Sequence, residues 1–102
     1  MTMTMTSKQR AYLRSMANTM ETILYIGKDG IVPGTIKQAS DALEAREIIK
    51  CAIQQNSPLS AKEALEALCA ELEAEPVQCI GSKLVIYKAN PKKADAIKLP
   101  KA

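Results

Sequence analysis

The sequence contains no histidine, no tryptophan and no phenylalanine. Without an imidazole there is no near-neutral general base, and no Ser or Cys nucleophile has an evident partner. Without Phe or Trp the core must be filled by Leu, Ile, Val, Ala and Met. Tyr12, Tyr25 and Tyr87 are the only aromatic rings, too thin a set for the two or three stacked aromatics of an RRM-type sheet. Tyr25 and Tyr87 are therefore expected to pack within strands, leaving Tyr12 as a stacking or phosphate-contact candidate on a helix. Cysteine is scarce as well. Cys51, Cys69 and Cys79 are odd in number and widely spaced, with no CxxC pair. A structural zinc site takes about four Cys/His ligands, so no metal is expected. The three read as buried or half-buried free thiols in a reducing compartment. No apolar run approaches the roughly 18 residues of a membrane span. The Met–Thr alternation of residues 1–6 lacks the basic start and apolar stretch of a secretory signal, which points to a cytoplasmic protein. Neither a P-loop nor a dinucleotide fingerprint occurs, so no enzymatic activity and no cofactor are expected.

What is present is one domain's worth of chain: 102 residues, 47% apolar and 25% charged. Its charge is unevenly spread. Ser60–Pro76 holds five acids (Glu63, Glu66, Glu71, Glu73, Glu75) against Lys62, a local net of −4, which leaves +7 for the rest of a chain of net charge +3. Such asymmetry suggests an anionic partner meeting one side of the molecule. The acids themselves read as a solvated face, with Glu71, Glu73 and Glu75 placed to keep that anionic partner off the wrong side.

Local signals give an α-β-α-β-α-β-β order. Thr6-Ser7-Lys8-Gln9 has capping-box form and opens a helix whose apolar stripe is Leu13, Met16, Ala17 and Met20. Thr22–Ile26 is β-branched and aromatic, a strand. Pro33 suits the first position of a second helix, which runs to Ala45 or Arg46 on an Ile36, Ala39, Leu43 stripe. Glu47–Ile53 reads as a central strand. Ser60-Ala61-Lys62-Glu63 caps a third helix that buries Ala61, Ala64, Leu65, Leu68 and Leu72 and is stopped by Pro76. Val77–Ile80 and Leu84–Tyr87 form a hairpin around Gly81-Ser82. The expected fold is a compact single α/β domain, a four-stranded mixed sheet packed with helices. Residues 1–5 are a disordered leader in which Met3 or Met5 serves equally as a start. Residues 6–90 are the domain, and 91–102 a basic tail pinned by Ile97 and Leu99.

The most pointed local feature is Gly27-Lys28-Asp29-Gly30 between a strand and a helix. Two glycines let backbone approach a bulky anion, and the next helix offers free N–H groups and its positive dipole end. KH modules clamp sugar-phosphate with a GxxG loop of this kind. A tight strand-to-helix turn without a ligand has the same signature. Lys8, Arg10, Arg14, Lys37, Lys83 and Lys88, with Lys92 and Lys93 in the tail, are the basic candidates for phosphate contact, and each alone also reads as ordinary surface charge.

In order, Ser7-Lys8-Gln9-Arg10 with Leu13 and Ala17, Ile26-Gly27-Lys28-Asp29-Gly30-Ile31, Glu47-Ile48-Ile49-Lys50-Cys51, Gln78 through Tyr87, and Lys98-Leu99-Pro100 resemble the CRM domain family (chloroplast RNA splicing and ribosome maturation). The likeness is to its stand-alone bacterial YhbY-like members. The resemblance implies a sheet-and-helix fold similar to the C-terminal domain of bacterial translation initiation factor three. It implies RNA binding through Gly27, Lys28, Asp29 and Gly30 with adjoining basic surface at Lys8, Arg10 and Arg14, and association with large-subunit ribosomal precursors. Asp29 stands where family members often have Asn. A carboxylate beside phosphate is unfavourable, so either Asp29 points away or the loop binds RNA weakly. The expected partner is ribosomal RNA and the expected state a monomer. The other class of function consistent with the residues is a protein-interaction module docking through the acidic third helix.

Overall fold

The computed structural model describes residues 6–90. The elements are α1 (Ser7–Ala17), β1 (Leu24–Ile26), α2 (Pro33–Arg46), β2 (Ile48–Ile53), α3 (Ala61–Leu72), β3 (Glu75–Ile80) and β4 (Lys83–Tyr87), in the order the sequence predicts. The leader, the basic tail with Lys92, Lys93, Ile97 and Leu99, and the Lys98-Leu99-Pro100 motif lie outside the described residues.

The sheet runs β1-β2-β4-β3. β1 and β2 are parallel, and the other two pairings are antiparallel. Parallel neighbours need a long crossover, and α2 supplies it. Both predicted capping boxes form. Thr6 Oγ1 accepts from the Gln9 N–H at 3.2 Å and Gln9 Oε1 accepts from the Thr6 N–H at 3.1 Å. Ser60 and Glu63 repeat the arrangement at α3. Pro33 is the first residue of α2, where its missing N–H costs nothing. Gly81 takes φ +59 as the first central residue of the β3–β4 turn, the II′ pattern.

Several boundaries differ from expectation, beginning with β1, which starts at Leu24 and not at Thr22. Glu47 does not start β2. It ends α2 with φ +67, its N–H donating to Leu43 O at 2.7 Å. Its carbonyl and carboxylate then accept from the backbone of Lys88 and Asn90, tying the chain after β4 to the end of α2. α3 stops at Leu72, four residues before Pro76, because Glu73 turns left-handed at φ +55. Of Glu71, Glu73 and Glu75, only Glu71 is thus on the helix, with Glu73 at its cap and Glu75 opening β3. Pro76 sits inside β3, an edge strand, one of the few sheet positions that admit proline, and the register shifts between it and Gln78.

The sheet is covered unequally. On one face α2 and α3 enclose Leu24, Ile26, Ala39, Leu43, Ile49, Cys51, Leu68, Leu84 and Ile86. On the other, α1 alone packs Leu13 and Ala17 onto Ile48, Val77, Val85 and Tyr87. Cys51 is buried, Cys69 half-buried and Cys79 exposed. The exposed Cys79 departs from the expected burial because the outer side of β3 has no neighbouring strand. Burial pushes the Cys51 thiol up to about 12 and, with the Glu75 carboxylate as the lesser cause, Cys69 up to about 11. Neither is a thiolate nucleophile at neutral pH. No described helix is long and apolar enough to cross a membrane.

Lys50 locks α1 to the sheet. Its Nζ donates to Ala17 O at 3.1 Å and Met20 O at 3.4 Å, putting a cation at the negative end of α1. Lys50→Met is expected to lower stability by about 1–2 kcal/mol, the scale of lost charged hydrogen bonds. Lys62→Met on the exposed side of α3 is expected to change it by under about 0.5 kcal/mol. Urea unfolding of both variants checks the contrast.

Candidate nucleic-acid interface

Parallel pairing carries β1 and β2 to the same end of the sheet. Ile26 aligns with Ile53, and the Gln54 N–H donates to Ile26 O at 2.8 Å. The β3–β4 turn is at this end too, Ser82 O accepting from Ile53 N at 2.7 Å. Gly27-Lys28-Asp29-Gly30 leaves β1 here as a turn closed by Gly30 N donating to Gly27 O at 2.9 Å.

Both glycines have a reason. A Cβ on Gly27 would stand 2.6 Å from Gln54 Oε1. Gly30 has φ +66, and a Cβ there would lie 3.3 Å from Pro58 Cγ. The exposed Lys28 and Asp29 form the tip between them. A cleft follows, lined by Tyr25, the loop, Val32 and Thr35 of the α2 start, and Gln54 and Asn56.

The start of α2 differs from those of α1 and α3. Its N-cap is Val32, whose side chain has no oxygen to accept from first-turn N–H groups. The Thr35 hydroxyl instead accepts from the Val32 N–H at 3.3 Å. No acidic side chain occupies that first turn. The positive end of the α2 dipole thus opens on the cleft beside the loop, an arrangement suited to an anion.

The predicted basic residues fall into two groups. Lys28 and Lys83 share the loop end of the sheet. Lys37 is one turn into α2 and pairs with Asp41 at 3.4 Å, both side chains well exposed, so its charge is partly offset. Arg10 and Lys88 belong to the opposite end. Arg10 Nε donates to Pro76 O at 3.2 Å, and Lys88 follows the Tyr87–Ile48 pair. β2 has six residues, so the ends are roughly 17 Å apart at about 3.3 Å per residue. Lys8 is exposed on the same first turn of α1 as Arg10, and Arg14 is exposed in its last turn. The loop cleft therefore gathers Gly27, Lys28, Asp29 and Gly30 but none of Lys8, Arg10, Arg14, Lys37, Lys83 or Lys88, and Lys83 lines a separate hollow with Lys50, Gln78 and Ile80.

Tyr87 packs as expected, at 5% exposure, and burial raises its hydroxyl pKa, with the Glu47 carboxylate second. Tyr25 does not pack. It is 60% exposed and lines the cleft, because Leu24 and Ile26 take the core face and α1 leaves the other face open here. Strand alternation of Leu24-Tyr25-Ile26 with the short reach of α1 was the available signal. Gln54, Asn56 and Thr35 carried none in the sequence alone.

A family model for the CRS1 / YhbY (CRM) domain matches residues 5–88. A Bacillus subtilis (strain 168) protein, YqeI, named as a probable RNA-binding protein, is 40% identical over 96 residues, which cover 94% of this chain and 99% of that one. A Pseudomonas aeruginosa PAO1 protein of similar name, PA4753, is 27% identical over 90 residues, covering 88% and 86%. The solution structure of SAV1595 from Staphylococcus aureus, described as a candidate RNA-binding protein, superposes with a TM-score of 0.77 at 44% identity, covering 95% of this chain and all of the other.

The backbone of the loop yields a stability prediction. Gly30→Ala forces a Cβ into a left-handed position and is expected to cost about 1–2 kcal/mol. Gly27→Ala is expected to cost less, because the atom it meets is the far end of the Gln54 side chain. Thermal unfolding of both variants ranks them.

Proposed function

The chain belongs to the CRS1 / YhbY (CRM) domain family, and from that premise we propose that it binds RNA, with the loop end of the sheet as its phosphate-binding surface. One observation carries this reading: the Gly27–Gly30 turn and the uncapped start of α2 open on one cleft. Backbone N–H groups and the helix dipole face the anion there, and Lys28 supplies the mobile charge. Lys83 extends the positive surface along the sheet, and Arg10 and Arg14, one turn apart on α1, offer a second basic strip at a distance that one structured RNA can bridge. Relatives named as RNA-binding proteins support the same reading.

We further propose that the RNA is ribosomal and that the protein acts as a factor in assembly of the large ribosomal subunit. It works as a monomeric binding protein without catalytic chemistry, in the cytoplasm. Recognition is mainly of shape and phosphate, since the chain has three tyrosines and no other aromatic residue. Asp29 shares the cleft with Lys28, so its carboxylate opposes phosphate and tempers affinity.

A second reading, docking of a protein on α3, draws on one observation. Leu65, Cys69, Pro76 and Cys79 line a largely apolar groove flanked by Lys62 and Glu66. Salt separates the two readings, because only phosphate-dominated binding to isolated RNA weakens steeply as salt rises.

Lys28→Glu is expected to weaken binding to a structured ribosomal RNA fragment at least tenfold and to lower the salt slope by about 1. Asp29→Asn is expected to tighten binding roughly 2- to 5-fold, the scale of one exposed charge interaction. Filter binding across a salt series measures both. Equal affinity of the folded Lys28→Glu variant and wild type would refute the loop as the site. In lysate gradients the wild-type protein is expected to sediment with large-subunit precursors in a nuclease-sensitive manner, and migration only as free protein at low salt would remove the ribosomal assignment.

A further inference from the structure

On the face carrying α1, the helix packs over Ile48, Val77, Val85 and Tyr87 and ends against Lys50. Beyond that point no helix packs on this face, although Ala52 of β2 stays buried. The register runs Tyr25–Ala52–Lys83–Ile80, one residue from each strand. Tyr25 is 60% exposed, Ile80 65% and Lys83 is also exposed. Ala52 offers only a methyl group between the tyrosine and the lysine.

This row is continuous with the loop site. Tyr25 precedes Gly27 by two residues, about 6.6 Å along an extended strand, and its side chain lines the loop cleft. Lys83 is two strands away, roughly 10 Å. The row holds a lysine and no acid, so its charge favours an anionic ligand over an acidic protein surface. A large exposed aromatic beside a phosphate-binding loop is the arrangement that stacks bases in single-stranded nucleic-acid sites.

Resting on the reading that the loop holds phosphate, we propose that Tyr25 stacks an unpaired base of the bound RNA and that Lys83 contacts an adjoining phosphate. The sheet end then recognises a splayed-out nucleotide in a loop or bulge. Bases inside an A-form duplex are already stacked on one another and cannot reach such a ring. Shape recognition by the basic surface sets general affinity, and Tyr25 adds preference for RNA with unpaired nucleotides.

The test uses the full chain, a fluorescein-labelled RNA hairpin with a single-stranded loop, and a fully paired duplex of the same stem. Circular dichroism confirms that Tyr25→Ala, Tyr25→Phe, Tyr25→Trp and Lys28→Glu are folded. Tyr25→Ala is expected to weaken hairpin binding roughly 5- to 150-fold, the range for losing one stacked base. Tyr25→Phe should bind as wild type, and the duplex should distinguish none of the Tyr25 variants. The chain has no other tryptophan, so Tyr25→Trp should show emission quenched by the hairpin and not by the duplex. Unchanged hairpin affinity in Tyr25→Ala, equal losses on hairpin and duplex, or unquenched emission would each overturn the proposal. If Lys28→Glu still loses affinity in those cases, the loop reading stands without Tyr25. Hairpin binding by Lys28→Glu equal to wild type would fell the loop reading itself, and the stacking proposal with it.

Discussion

The parallel pairing of β1 with β2 is the constraint on which the rest of this structure depends. Two parallel neighbours cannot be joined by a hairpin, so the chain must leave β1, return through α2 and enter β2 from the far end. The outgoing turn, Gly27–Gly30, is thereby fixed at the ends of the strands, and α2 must begin where that turn stops. The pairing that builds the sheet thus aims a helix N-terminus and a glycine turn at one opening. The Gln54 N–H on Ile26 O and the Ile53 N–H on Ser82 O hold the strand ends and the β3–β4 turn around it.

The second consequence is an asymmetric sheet. Two helices cover most of one face, while a single helix of 11 residues covers part of the other. At about 1.5 Å per residue α1 is roughly 16 Å long, and Lys50 fixes where it stops. What remains open is the row headed by Tyr25, next to the loop. Core formation on one face and incomplete cover on the other therefore leave a sheet surface exposed beside the loop without any added element. At the far end, Glu47 does the opposite work, using its backbone and carboxylate to bind Lys88 and Asn90 and close the domain.

Much of this was legible in the sequence where local chemistry decides the outcome. Thr6/Gln9 and Ser60/Glu63 announce helix starts because a side chain three residues on satisfies the same free N–H groups wherever the chain goes. Pro33 and Gly81 act through their own φ preferences. Gly27 and Gly30 mark the loop. The sequence was less informative where tertiary placement decides. Glu73 ends α3 before Pro76 through a left-handed turn that a glutamate does not advertise. Cys79 is exposed because β3 is an edge strand, which follows from strand order rather than from residue type. Tyr25 is exposed because a strand tyrosine packs only where a helix lies over it, and the docked position of α1 leaves it uncovered. In the sequence the basic residues form one population, but the sheet puts Lys28 and Lys83 at one end and Arg10 and Lys88 at the other. Gly27 and Gly30, an ordinary loop pair in the sequence, become a candidate site in the fold, where α2 starts beside them without a side-chain cap.

The central claim is that the loop end of the sheet is the surface that meets RNA. Titrating isotope-labelled protein with a structured ribosomal RNA fragment and following every backbone amide by NMR tests it most directly. The account predicts the largest perturbations at Gly27–Gly30, Gly34, Thr35, Tyr25 and the Gly81–Ser82 turn, with smaller ones on the first turn of α1 and none along α3. Perturbations concentrated on α3 and the groove between Leu65 and Cys79, with the loop amides unmoved, would contradict it.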